Sequence, residues 1–265
     1  MNAGWLAVPR GWLNSIGEIF GFAARVTGLV YTGRVFQFFG EALRQTGILI
    51  LGSTIVIWGL VFILGLQCGI EGAYFNRSVG APAYAGVFAA WCDLREVIPY
   101  AFGYMMAAKV GTGIVAELGA MRISDEIDAL EVMSVPTFVY LVCTRVVAAL
   151  LAIIPLYLIS LYASYGATYL VTTKFFGLSK GIYNHYFHLY LPFIDVIYSL
   201  AKACVFAVAV TLIHCYYGFY ASGGPEGVGV AVGRAIRLSI VAVVILNLIL
   251  SLVFWGGGNT VRVAG

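Results

Sequence analysis

Lys109 to Arg145 reads KVGTGIVAELGAMRISDEIDALEVMSVPTFVYLVCTR, and in it an apolar chain turns acidic and then apolar again. It carries Glu117, Asp125, Glu126, Asp128 and Glu131, five of the 12 carboxylates in a chain of which only 10% is charged. Ser124 suits a helix N-cap, Asp125 and Glu126 then fall in a first turn where the backbone dipole favours negative charge, and Pro136 stops the helix soon after. The pattern predicts a short helix over about 124–134. Ile123, Ile127 and Leu130 form its narrow apolar stripe, with Asp128 and Glu131 on one flank and Arg122 and Glu126 on the other. An acidic helix with an apolar seam suits a groove on a soluble partner. A solvated hairpin joining two membrane spans is the plainer alternative.

Composition sets the class around this stretch. Hydrophobic residues make up 62% of the chain and mean hydropathy is +0.95. An ordinary soluble domain, with about 25% charged residues, is excluded. The net charge of +3 is too small, and the basic residues too scattered, for a nucleic-acid partner. Cys68, Cys92, Cys143, Cys204 and Cys215 show no CxxC or Cys/His spacing and read as small buried hydrophobes. His185, His188 and His214 have no thiol or carboxylate at ligand spacing, so no metal site is expected. Arg10, Trp12 and Glu18 interrupt the opening twenty residues, which leaves targeting to the spans themselves.

Outward from the acidic stretch, the chain reads as an all-α membrane protein with five transmembrane helices. Residues 1–46 are expected to hold an interfacial amphipathic helix, because Trp12, Leu13, Ile16, Ile19, Phe20, Ala23, Val26 and Leu29 recur at helical spacing while Glu18, Arg25, Arg34, Glu41 and Arg44 forbid a span. The body, 47–256, divides into spans at about 47–70, 83–116, 138–170, 192–221 and 230–255, followed by a short tail, 257–265. Gly47 to Ile70 carries no formal charge and, at about 1.5 Å per residue, crosses a core of about 30 Å. Residues 71–82 read as a loop, 171–191 as a polar and aromatic connection with a short surface helix, and 222–229 as a tight turn opened into the last helix by Pro225 and Glu226. Pro99 and Pro155 are expected to bend their spans. The pairs Ala107/Gly111 and Ala116/Ala120 are expected to permit close helix approach. Five spans put the termini on opposite sides. The amino end and the connections around Arg122 and Gly224 hold Arg10, Arg25, Arg34, Arg44, Lys109, Arg122, Arg145, Arg234 and Arg237, against Arg77, Lys174, Lys180 and Arg262 on the other face. The positive-inside rule therefore puts the acidic helix and the N-terminus in the cytoplasm and the C-terminus outside.

The run AELGAMRISDEIDALEVMSV resembles the signature of the MlaE/YrbE permeases, membrane subunits of lipid ABC transporters that work with Mce-domain proteins. The likeness continues through LREVIPYAFGYMMAAKVGTG before it and AKACVFAVAVTLIHCYYGFYASGGPEGVGVAVGRA near the end, covering roughly 93–150 and 195–255. The resemblance implies that the acidic segment is a coupling helix on an ATPase subunit, engaged through Glu117, Arg122, Asp125, Glu126, Asp128 and Glu131. It implies two copies of that ATPase holding the ATP and Mg, a second permease beside this one, a hexameric Mce assembly on the outer side, and a plasma-membrane location. A glutamate before the proline and a lysine in the fourth span line the family's lipid cavity, and they match Glu96 and Lys202. The cargo would be a phospholipid, a fatty or mycolic acid, or a sterol. Two departures stand out: Asn247, where the last span often carries an acid, and Lys109 in place of an arginine. The altered charge at Asn247 fits one half of a heterodimer.

Charges within spans carry what chemistry the chain has. Arg95, Glu96, Asp195 and Lys202 would each cost about 2.5–3.5 kcal/mol facing lipid at mid-depth, so they are expected to face protein or water, and the resemblance implies that with Asn247 they line a cavity. An ion pair that only locks two helices is the competing reading of Glu96 and Lys202. No GxxxxGK[ST] run occurs, so ATP hydrolysis is assigned to a partner, and no HExxH or GxSxG points to an intramembrane enzyme. The alternative function is an ion- or proton-coupled secondary transporter or channel that uses the same charges as a relay.

Overall fold

Helix α1, Gly4–Tyr31, ends where the chain takes a left-handed turn at Gly33 (φ 73°), a conformation that glycine adopts without steric cost. A single 3-10 turn, Arg34–Phe38, leads into α2, Phe39–Ser78. The break therefore comes at Gly33 rather than near residue 46. Glu41 does not interrupt the helix that follows, because Arg44 Nε lies 3.0 Å from its Oε2 and Gln45 Nε2 donates to its Oε1 at 2.9 Å. The computed structural model describes the backbone of residues 4–257 and the side chains of residues 17–257, and it contains no strand among them. Arg10, Trp12, Leu13 and Ile16, and the tail from residue 258 with Arg262, lie outside the described side chains. Within α1, Val26 is buried and Ile19, Ala23 and Leu29 are half-buried, with Glu18 and Arg25 exposed, but Phe20, expected on the apolar stripe, is exposed and Phe22 is buried in its place.

Helix α2 runs two turns beyond the predicted span. Asn76 Nδ2 donates to Gly72 O at 2.7 Å within the helix, and the chain turns only at Gly80 (φ 74°), so most of the predicted 71–82 loop is helical. Helix α3 covers residues 85–123. It is followed by α4, Glu126–Val132, then α5, Phe138–Phe175, α6, Lys180–Leu189, α7, Phe193–Phe219, and α8, Gly224–Trp255. Four helices are long and apolar enough to cross a membrane: Arg34–Ser78, Phe138–Phe175, Phe193–Phe219 and Gly224–Trp255. The predicted span over 83–116 falls in α3, which is not among these four and carries Asp93, Arg95, Glu96 and Lys109 along its length. Its α-helical segments are separated by wider π turns at Cys92–Val97 and Met106–Gly111. Pro99 follows the first of these turns at the start of Ile98–Met105, and Pro155 lies inside α5.

The most extensive packing is α2 along α5. Small residues face each other there: a Cβ on Gly65 would lie 2.6 Å from the Ser164 carbonyl, and one on Gly69 3.2 Å from Thr168 Cα. Helix α7 lies among α3, α5 and α8, with Phe206 buried in its centre, as Phe102 is in α3 and Tyr157 in α5. Of the predicted small pairs, Ala107 and Gly111 are buried, and Gly111 seats against the His214 ring. Ala116 and Ala120 are exposed. Leu51, Ile55, Leu248 and Leu252 project from the outer faces of α2 and α8, apolar surface suited to lipid.

Candidate functional site

Pro99 has no N–H to offer the carbonyl four residues back, that of Arg95. The Lys202 ammonium donates to that carbonyl at 2.6 Å, so a backbone irregularity in α3 receives a side chain from α7. The same Nζ lies 2.9 Å from Ser251 Oγ and 3.4 Å from Glu96 Oε1. Three donors thus meet three acceptors. The Lys202 side chain is fully buried, whereas that of Glu96 is 47% exposed. Ser251 Oγ donates to Glu96 Oε1 at 2.5 Å, and Asn247 Nδ2 donates to Glu96 Oε2 at 2.8 Å. An acid at 247 would oppose Glu96 with a second carboxylate; the amide instead supplies a donor.

One turn of α3 distributes its charges in three directions. Arg95 Nη2 reaches Asp195 Oδ2 of α7 at 2.8 Å, with the guanidinium 4.6 Å from the Trp91 ring and 5.6 Å from that of Trp255. Asp93 turns toward α5, where Ser164 Oγ and Thr168 Oγ1 donate to it at 2.8 and 2.7 Å. Glu96 turns toward α8. The π turn makes this spread possible, since the wider winding rotates successive side chains out of the α-helical register. Arg95, Glu96, Asp195, Lys202 and Asn247, singled out from the sequence, therefore gather in one place. Ser251 and Trp255 were missed, although Asn247, Ser251 and Trp255 recur every four residues on one face of α8.

The acidic connection is built differently from its prediction. Ser124 ends α3, with its hydroxyl donating to Ala120 O at 2.9 Å and to Glu126 Oε1 at 3.1 Å, and it does not cap the next helix. Asp125 occupies the N-cap position in a left-handed conformation (φ 56°) with no side-chain cap. Ile127 is buried and Leu130 partly so, whereas Ile123 is exposed, so the apolar stripe is two residues wide. Arg122 Nη1 lies 2.7 Å from Asp128 Oδ1, and Thr137 Oγ1 donates to Glu131 Oε1 at 2.9 Å. Glu117 pairs with the buried Arg145 of α5 at 2.8 Å, which ties the base of the elbow to the next span. Asp125, Glu126, Asp128 and Glu131 are exposed, and so are Val132 and Met133 at the tip.

The cysteine reading needs correction. Cys68 and Cys92, far apart in sequence, bring their sulfurs within 2.7 Å, so at least these two are more than separate space-fillers.

The family model for Permease MlaE matches residues 42–253, which take in both the buried polar cluster and the acidic elbow. The chain belongs to the MlaE permease family. A probable ABC transporter permease protein of Rickettsia bellii is 35% identical over 161 residues, 61% of this chain and 62% of the relative. A probable ABC transporter permease protein of Synechocystis is 30% identical over 203 residues, 76% of this chain and 75% of the relative. The chloroplastic protein TRIGALACTOSYLDIACYLGLYCEROL 1 of Arabidopsis thaliana is 29% identical over 214 residues, 80% of this chain and 59% of that protein. The chain thus spans less than two thirds of the first and last of these. This MlaE-family chain is a multi-pass membrane protein, with its polar cluster formed where α3, α7 and α8 meet.

Proposed function

We propose that the chain is the permease subunit of an ATP-driven lipid transporter, carrying the lipid path while a separate ABC ATPase supplies the work. The observation that carries this reading is the convergence of Glu96, Lys202, Asn247 and Ser251 among otherwise apolar helices. Ionisable groups at such depth are costly unless they serve a path or a partner. Membership of the MlaE family and the permease names of the Rickettsia and Synechocystis relatives support it. The Arabidopsis relative's name is that of a galactolipid, which favours a lipid as cargo.

In this reading α3 is the fifth span and the cluster is where a lipid's polar head meets protein. The exposed Glu96 is met first, and Lys202, buried with its donors engaged, is reached by an anionic head only when Glu96 gives way. The pair acts as a latch: a carboxylate or phosphate takes the place of Glu96 on Lys202, Asn247 and Ser251 add hydrogen bonds, and the tails lie on the apolar walls. Phospholipid, fatty or mycolic acid all satisfy that chemistry; a sterol hydroxyl would instead bond to Glu96.

The elbow 124–134 is the ATPase contact. The charge asymmetry puts it in the cytoplasm, Asp125, Glu126, Asp128 and Glu131 present its acidic face, and Val132 and Met133 its apolar tip. Glu117 and Arg122 brace the elbow through Arg145 and Asp128. ATP and Mg are held by the partner ATPase, two copies of which engage this chain and a second, different permease. Closure of the ATPases draws the elbows together, and α3 carries that movement to the turn at Cys92–Val97 where Glu96 sits. Mce-domain proteins on the outer face receive or deliver the lipid. The setting is the plasma membrane, with the N-terminus inside and the C-terminus outside.

Lys202→Met and Glu96→Gln test the latch. Each should lower lipid transport by about tenfold, equivalent to about 1.4 kcal/mol of lost headgroup binding, while assembly with the ATPase persists. Undiminished transport in both variants removes the cluster from the lipid path. Transport that followed an imposed ion gradient without any ATPase would replace this reading by secondary transport.

A further inference from the structure

Cys68 belongs to α2 and Cys92 opens the first π turn of α3, yet their sulfurs lie 2.7 Å apart. Cys68 is buried and Cys92 half-buried. The helices are held at this separation from both sides. A Cβ on Gly72, one turn beyond Cys68, would lie 2.5 Å from the Phe88 ring of α3, and Gly69 packs on Thr168 of α5. On the α3 side, Asp93 is anchored to α5 through Ser164 and Thr168. The two thiols cannot drift apart unless those contacts open as well, and a contraction of about 0.7 Å would bring the sulfurs to the ~2.05 Å of a bonded pair.

We propose that Cys68 and Cys92 form a disulfide in the folded protein, fastening the far end of α2 to the head of α3, the helix that carries Glu96 of the polar cluster. The oxidant is a disulfide donor, a protein or a small molecule. One cysteine thiolate attacks the donor's disulfide, forming a mixed disulfide and releasing one donor thiolate. The second cysteine thiolate then displaces the other. Two cysteines are oxidised by two electrons, the donor is reduced to a dithiol, and the two cysteine protons end on the donor sulfurs. Such donors act on the oxidising side of a plasma membrane. With the elbow inside, the opposite end of α3 faces that side, and this placement rests on the proposed topology. The bond couples Glu96, four residues past Cys92, to α2, and it removes loop-closure freedom from the unfolded chain.

The test is mass spectrometry of the full chain, purified from membranes with an alkylating agent present from lysis and digested without reductant. The Cys68 and Cys92 peptides should be recovered joined, with Cys143, Cys204 and Cys215 alkylated. The thermal unfolding midpoint in detergent should fall by several degrees when reductant is added to the native chain. Cys92→Ser should start at the lower value and not respond. Recovery of both peptides alkylated and separate would overturn the proposal. So would protection of both thiols by a stoichiometric metal ion detected by emission spectroscopy, since the ligand atoms of Cys68, Cys92 and Asp93 all lie within 4.8 Å of one another. Labelling of the elbow from outside the cell would refute the topology while leaving joined peptides unaffected, so the two failures are separable.

Discussion

Asp195 has no exposed surface, and its Oδ2 lies 2.8 Å from an arginine that stacks on two indoles. Breaking such a pair leaves a buried charge uncompensated, so Asp195→Ala should cost about 3–5 kcal/mol of stability, read as a lower unfolding midpoint in detergent. Arg95→Met combined with Asp195→Leu should recover much of that loss, because both charges then leave together. If the double variant fell below Asp195→Ala, the pair would be doing something other than neutralising itself. These residues were legible in the sequence because a charge in an apolar run is expensive and so conspicuous. Ser251 and Trp255 were not, since a serine or a tryptophan costs little in a span, and only the four-residue recurrence from Asn247 could have marked them. The pairing of Cys68 with Cys92 was equally hidden, because the contact depends on how α2 and α3 dock and not on any spacing.

At the scale of elements, periodicity and the absence of charge located the apolar helices to within a turn or two. Their ends were less legible. Helix α2 runs on to Ser78 because Asn76 bonds back into its own helix, and the break before it falls at Gly33, where positive φ is cheap. The elbow was visible as charge, but its capping was misread, because Ser124 bonds backward into α3 instead of forward. Helix α3 was hardest to read: Asp93, Arg95, Glu96 and Lys109 leave it outside the four strongly apolar helices, and its π turns fall mid-helix where those of α5 lie at its ends. The α2/α5 seam offers a direct check. Gly65→Ala would push a methyl against the Ser164 carbonyl and should cost about 1–3 kcal/mol by overpacking. Gly59→Ala, with nothing within 4 Å of the new methyl, should leave the unfolding midpoint within a degree or so of the original. Equal effects from the two substitutions would mean that α2 and α5 do not meet as described.

Across the whole molecule, α3 joins two polar regions, the acidic elbow at one end and the cluster around Glu96 near the other. The proposed orientation rests on the arginine and lysine asymmetry. Ala129→Cys, exposed on α4, should therefore react with a membrane-impermeant maleimide in inside-out vesicles and not in intact cells. Labelling in intact cells would reverse the topology. The most direct test of the central claim is charge reversal at the elbow, with Asp125, Glu126 and Asp128 all changed to Lys, followed by purification through a tag on this chain. The account predicts that the ATPase subunit no longer co-purifies and that ATP-dependent lipid transport is lost, while the permease still inserts and unfolds at its usual temperature. An ATPase retained at its normal stoichiometry, with transport intact, would contradict it.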